Sequence, residues 1–157
     1  MTNQSSNEDL VAILEATPSI LEGIVTAGGD AQFDKAWLGE WTPRTVLAHL
    51  RDAEFLVMRL RVERLLSEER PMLMPFDEAA WTANRWTGRD ALEELLADFR
   101  EQRAASVQIL RRLEDQWEHP GYQPEMGEVT IRSWTEHWVE HDQEHINQLR
   151  AGLGLTA

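Results

Sequence analysis

Residues 130–152, TIRSWTEHWVEHDQEHINQLRAG, narrow the possible folds more than any other part of the chain. Ile131, Trp134, Trp138, His141, His145 and Leu149 recur at steps of three or four residues, which traces one stripe of an α-helix. The stripe opens on large apolar residues, so it faces a core. His141 and His145 take slots on it, about 40° apart around the axis and roughly 6 Å apart along it. Two neighbouring imidazoles on a buried stripe are costly unless their nitrogens find partners. A divalent metal is one such partner, because neutral imidazole is the commonest metal ligand. An H-x-x-x-H pair also arises by chance on an acidic helix whose rings face solvent. A third ligand on an inward stripe elsewhere would sharpen the metal reading.

The other segments are also helical. Residues 1–7 are polar and read as frayed. Leu10, Ile13, Leu14, Ile20, Leu21, Ile24 and Val25 then give a helical period, with Pro18 inside it. That proline either kinks one helix or starts a second with Thr17 as its cap. Ala27-Gly28-Gly29-Asp30 ends the segment. After a connection over 30–41, Thr42-Pro43 is a clean helix start. The stripe Val46, Leu50, Ala53, Val57, Leu60 follows, and the helix is predicted to run to about Ser67. Arg51, Asp52, Glu54, Arg59, Arg61, Glu63 and Arg64 read mostly as its solvated face. Residues 68–86 form a long connection with a short helix near 77–83, of the kind that serves as a lid or pocket rim. Thr87-x-x-Asp90 resembles a capping box opening a third main helix to about 115, marked by Leu92, Leu95, Leu96, Phe99, Val107, Leu110 and Leu113. Residues 118–128 hold two Pro and two Gly and read as a loop, and no strand pattern is convincing. Four main helices of this length predict an all-α fold, an up-and-down four-helix bundle, as one domain over 1–157. Trp134 and Trp138 are assigned to the core, while Trp37, Trp41, Trp81 and Trp86 stay open between core and pocket wall.

Charge removes several function classes. Lys plus Arg number 15 against 28 Asp plus Glu, a formal charge of -13. Such a surface repels phosphate backbones and anionic membrane, so neither nucleic acid nor membrane is an expected partner. No 18-residue apolar run suggests a membrane span, and the N-terminus lacks the pattern of a signal peptide. Cysteine is absent, which rules out disulfides, a thiolate nucleophile and a Cys-based zinc site. The expected location is cytoplasmic.

His49 lies three residues after Val46 and four before Ala53, so it flanks the inward face of the second main helix. It is roughly 10 Å past the Thr42 cap, and His141 is roughly 16 Å past Thr130. If helices two and four run parallel, those depths permit a shared site. Three neutral nitrogens would leave one coordination position open, as in catalytic rather than structural zinc sites. Taken alone, His49 also fits a satisfied core histidine.

The stretch GEWTPRTVLAHL at 39–50, followed by Asp52 and Glu54, resembles the first histidine motif of the DinB/YfiT-like superfamily. HDQEHINQL at 141–149 resembles its second, and His141 follows His49 by 92 residues, a separation that suits the family. The resemblance spans nearly the whole chain. It implies a four-helix bundle with a divalent metal, zinc or nickel, held by His49, His141 and His145. It also implies thiol-dependent S-transferase chemistry with a low-molecular-weight thiol cosubstrate. His137, on the edge of the same stripe, is either a support behind the ligands or a surface residue. Asp52, one turn after His49, is a candidate to orient that ring. Glu54 is read as a surface acid and His119 as a solvent-exposed loop residue.

Three functions follow as expectations. The first is a metal-dependent enzyme acting on a small molecule, as an S-transferase or, with activated water, as a hydrolase. The second is a non-catalytic divalent-metal-binding stress-response protein. The third is a plain helical interaction protein whose histidines bind nothing. A homodimer is compatible with all three.

Overall fold

The computed structural model describes residues 5–35, 41–85 and 90–156. The expected all-α four-helix bundle is what the chain forms. Its main helices are α1 (Asn7–Gly28), a second helix built from α2 (Pro43–Ala53), a π-helical turn (Glu54–Arg59) and α3 (Leu60–Ser67), then α5 (Leu92–Arg111) and α6 (Ile131–Gly152). The short helix α4 (Glu78–Asn84) lies in the second connection, capped by Asp77. Trp37, Trp86 and Thr87 fall outside the described residues. α5 starts at Leu92, where the Glu94 carboxylate accepts the Ala91 N–H at 3.3 Å.

The order in which the helices meet could not be read from the sequence. α1 and α2 each pack against α5 and α6, so the first and second main helices, and the third and fourth, sit across the bundle diagonals, while the second and third are neighbours. Cross-helix pairs give the directions. Asn7–Arg132 and Thr17–Asp142 make α1 and α6 parallel, whereas Glu15–Arg111 and Glu22–Arg100 make α1 and α5 antiparallel. His49–His141 and Trp134–Met58 make α2–α3 and α6 antiparallel, not parallel as the depth argument assumed. The site forms all the same: His49 on α2 meets His141 and His145 on α6, with ring centroids 5.3 and 4.9 Å away.

Pro18 neither ends nor restarts α1, which runs unbroken. Its missing N–H frees the Leu14 carbonyl four residues back. That carbonyl accepts from Arg103 Nη1 at 2.7 Å instead. α1 is long and apolar enough to cross a membrane by length and composition, with mean hydropathy 1.5, although the sequence reading found no such run. In the fold Leu10, Leu14, Leu21 and Ile24 bury its apolar stripe in the bundle.

The π turn corrects the reading of the second helix. One extra residue in a turn rotates everything after it by about 100°. Leu60, expected inward, is 51% exposed, and Arg61, expected in solvent, is 8% exposed. Glu54 and Arg51, also assigned to the solvated face, are buried. Residues 118–128 also differ from the loop expected. They contain a hairpin of β1 (Pro120–Gln123) and β2 (Gly127–Thr130). Its turn is tied by Gln123 Oε1, which accepts the Glu125 and Met126 N–H groups at 2.6 and 2.7 Å. A bridge from Met72 to Tyr122 docks the 68–77 connection on it. Gly121 is required there, since a Cβ would sit 2.5 Å from Leu65 Cδ2 and 3.0 Å from the Pro71 carbonyl. Proline and glycine hid these strands because the pairing is set by tertiary contact, not by local propensity.

Candidate metal centre

The buried stripe of α6 runs through Ile131, Trp134, Trp138, Asp142, Ile146 and Leu149. His141 and His145 lie along one edge of it, where α6 meets α2. His49, 4% exposed, faces them from α2. His49 Nε2 and His141 Nε2 are 3.1 Å apart, and one nitrogen from each of the three rings falls within 4.8 Å of the others. Two nitrogens about 2.05 Å from one cation at a tetrahedral angle would be about 3.3 Å apart. The observed spacing fits that geometry.

Protonation points the same way. Burial, reinforced by the charges His145 and His141 would carry, pushes the His49 pKa down to about 2. Burial, then His141, lowers that of His145. Both rings therefore stay neutral, the form that binds metal. His145 Nδ1 lies 2.8 Å from Gln148 Oε1. An amide oxygen only accepts, so Nδ1 carries the proton and Nε2 offers a lone pair. Among the described residues, the Nδ1 atoms of His49 and His141 are buried without a hydrogen-bond partner. A mutual Nε2 contact has one donor and one acceptor and leaves both of those atoms unsatisfied. With a cation on the Nε2 side, both Nδ1 atoms become N–H donors. A carboxylate oxygen lies 4.0 Å from the first, Glu78 Oε1, and 3.9 Å from the second, Asp142 Oδ1. The donor set and its surroundings thus fit a divalent cation.

Two expected supports sit elsewhere. Asp52 does not orient His49. It accepts from Trp81 Nε1 at 3.0 Å and pairs with Arg51 and Arg85 at 2.9 and 3.0 Å, tying α2 to α4. The carboxylate beside His49 is Glu78, whose approach from α4 is tertiary and leaves no trace in spacing. His137 is half-buried, its ring centroid 5.1 Å from that of Trp134, and it is not in the group of three. Gln148 was missed although its i+3 step from His145 was visible.

The histidines open on a cavity of about 760 Å³. Trp41 and Phe76 flank His49, with ring centroids at 5.0 and 6.4 Å. Met58 and Arg61 continue the wall along the second helix, and Gln123, Glu125 and Met126 close it from the hairpin. Both connections therefore line the cavity, the role the sequence suggested for 68–86. Trp134 and Trp138 are core, each 1% exposed, and Trp81 is buried at 8%.

Below this centre is a second polar cluster. Arg103, 1% exposed, uses all five donors. Nε and Nη2 reach Glu54 at 2.9 Å each, Nη2 and Nη1 reach Asp142 at 3.1 and 2.7 Å, and Nη1 also reaches the Leu14 carbonyl. Thr17 donates to Asp142 at 2.8 Å. Burial opposes the charge on Arg103, but Asp142 and Glu54 outweigh it and hold the guanidinium pKa above its usual value. The signal was an arginine four residues after Phe99 and four before Val107, inside an apolar stripe.

Comparison with known proteins agrees with this architecture. Residues 13–149 match the model of the DinB superfamily. YfiT of Bacillus subtilis is 29% identical over 147 residues, covering 92% of this chain and 82% of that protein. OB0782 of Oceanobacillus iheyensis is 24% identical over 159 residues, covering 93% and 84%. Both are provisionally named metal-dependent hydrolases. A solved structure of the Bacillus protein, described as a probable metal-dependent hydrolase with an unusual four-helix bundle topology, superposes with a TM-score of 0.79 over 99% of this chain and 94% of its own, at 27% identity.

Proposed function

This chain belongs to the DinB superfamily, and on that footing we propose that it is a metal-dependent enzyme conjugating a low-molecular-weight thiol to an electrophilic small molecule. His49, His141 and His145 are its ligands for a divalent cation, zinc or nickel. The observation that carries the reading is the meeting of three imidazoles, two of them held neutral by burial, at a cavity wall rather than inside a closed core. A divalent cation held there would lower the pKa of a bound thiol or water and make a nucleophile available near neutral pH.

The chain's own residues supply the rest. Gln148 fixes the tautomer and orientation of His145. Glu78 lines the cavity wall with Oε1 4.0 Å from His49 Nδ1, and would take a proton released by an entering ligand. Trp41, Phe76 and Met58 give an apolar surface against which an electrophile is oriented and water excluded. No cysteine exists in the chain, so a sulfur nucleophile has to enter as a cosubstrate. The cavity volume falls in the range of sites for whole organic ligands.

Hydrolysis is the second reading, favoured by the names of the two relatives and by Glu78 beside the centre. One assay separates them. Metal-loaded protein is given a panel of small thiols with a halogenated aromatic or bimane electrophile, and in parallel an activated ester without thiol, each with and without chelator. Chelator-sensitive, thiol-dependent turnover is expected. Chelator-sensitive ester cleavage alone would favour the hydrolase. No chelator-sensitive rate in either arm would leave a non-catalytic metal-binding protein.

A further inference from the structure

Among the described residues three arginines are buried, and two of them sit in ion pairs. Arg103 pairs with Glu54 and Asp142, and Arg51 with Asp52, Asp90 and Asp98. Arg61 is 8% exposed, and no carboxylate among the described residues comes within the 4.0 Å of an ion pair. Among the described residues it makes a hydrogen bond from Nη2 to the Met74 carbonyl at 2.7 Å and lies over the Trp134 ring, 4.6 Å from Cζ. Glu125, on the same cavity wall, acts on its charge only from beyond ion-pair distance; a buried cation without a paired counter-charge is costly, and this chain carries 28 acidic residues from which a closer one could have been supplied. Arg61 also lines the same cavity as the three histidines.

We propose that Arg61 is the anion-binding residue of that cavity, and that the ligand it receives carries a carboxylate. This rests on reading the cavity as the substrate site. The guanidinium lies over Trp134, seven residues before His141 on α6, so the carboxylate sits roughly 10 Å along the helix axis from the histidines. The planar fork suits a two-point grip on a carboxylate. A monoanion is favoured over a phosphate because Glu125 and Glu144 also line the cavity and penalise a second negative charge.

The test uses metal-free protein and unreactive probes, so a failed metal centre and a failed anion site give different results. Binding of 6-phenylhexanoate, 6-phenylhexanamide and 6-phenylhexyl phosphate is measured by calorimetry or ligand-observed NMR. The acid is expected to bind about tenfold tighter than the amide, with the difference abolished in Arg61→Met. Arg61→Lys keeps the charge but loses the fork, and should weaken the acid about threefold while sparing the amide. Circular dichroism checks the fold of both variants. If Arg61→Met does not fold, the lysine variant carries the test. Equal binding of acid and amide, no binding of the acid, tighter binding of the phosphate, discrimination surviving in Arg61→Met, or an unchanged acid affinity in Arg61→Lys would each overturn the proposal.

Discussion

Two polar clusters meet at adjacent residues of α6, and they are built on opposite terms. Asp142 belongs to a cluster in which all five Arg103 donors have acceptors. His141, one residue earlier, belongs to a cluster with two orphaned ring nitrogens in the buried space between two helices. Fully satisfied buried networks rigidify a fold, whereas unsatisfied ones signal an absent partner. The first cluster clamps α1, the π turn of the second helix, α5 and α6 together. The second brings three rings together on that clamp in a donor set that suits a cation. The lower cluster is therefore assigned to folding, and the upper one is the centre of the proposed chemistry.

Breaking the lower cluster should have the largest effect. Arg103→Met strands Glu54 and Asp142 as buried, unpaired carboxylates. Removing one partner from such a group costs about 3–5 kcal/mol, which at this chain length lowers Tm by about 6–20 °C. Denaturant unfolding of the variant measures it. A loss below about 1 kcal/mol would mean the network is incidental.

Breaking the upper cluster should leave the fold and remove the metal. His49→Ala and His141→Ala are expected to be helical, to contain no zinc or nickel by elemental analysis, and to show no rise in Tm on adding either. The wild-type protein should gain about 2.7 kcal/mol at a hundredfold excess over Kd. Unchanged metal content in either variant would count against these ligands.

The two clusters were unequally legible in the sequence, for a physical reason. The helices that carry the histidines follow from local periodicity and caps, so His49, His141 and His145 could be singled out before any coordinates, and the resemblance joined them into one set. Glu54 and Arg61 could not be placed, because the π turn shifts the register between Ala53 and Leu60 and no sequence signal marks it. Arg103 was visible only as a break in an apolar stripe. Its counterpart at Leu14 depends on Pro18 freeing a carbonyl on a helix that lies next to it only in the folded bundle. Glu78 and the hairpin share that limit, since their positions are set by contacts between elements distant in the chain.

Acid should separate the clusters further. Below about 6.5 the unfolded chain gains a proton on His49 that the folded protein refuses until about 2. Metal-free stability should therefore be complete above pH 6.5 and fall as pH drops, by on the order of 1.4 kcal/mol per unit for this one group. His49→Gln should flatten that part of the profile. A slope between pH 6.5 and 4.5 identical to wild type would mean the ring is not shielded from protons as its burial implies.

His137 gives the smallest and most discriminating effect. It stands one turn before His141 on the same helix, lines the same cavity, and has its pKa lowered by burial and then by His141. By sequence spacing alone, the pair 137/141 is as good an H-x-x-x-H as 141/145. Geometry separates them: the 145 ring centroid is 4.9 Å from that of His49, while His137 lies against Trp134 at 5.1 Å. His137→Ala should lose only that ring contact, on the order of 1 kcal/mol. It should keep its metal stoichiometry and bind within about tenfold of wild type. Complete loss of metal in this variant, with His145→Ala still loaded, would assign the ligand pair to 137/141 and move the centre one turn toward Arg61.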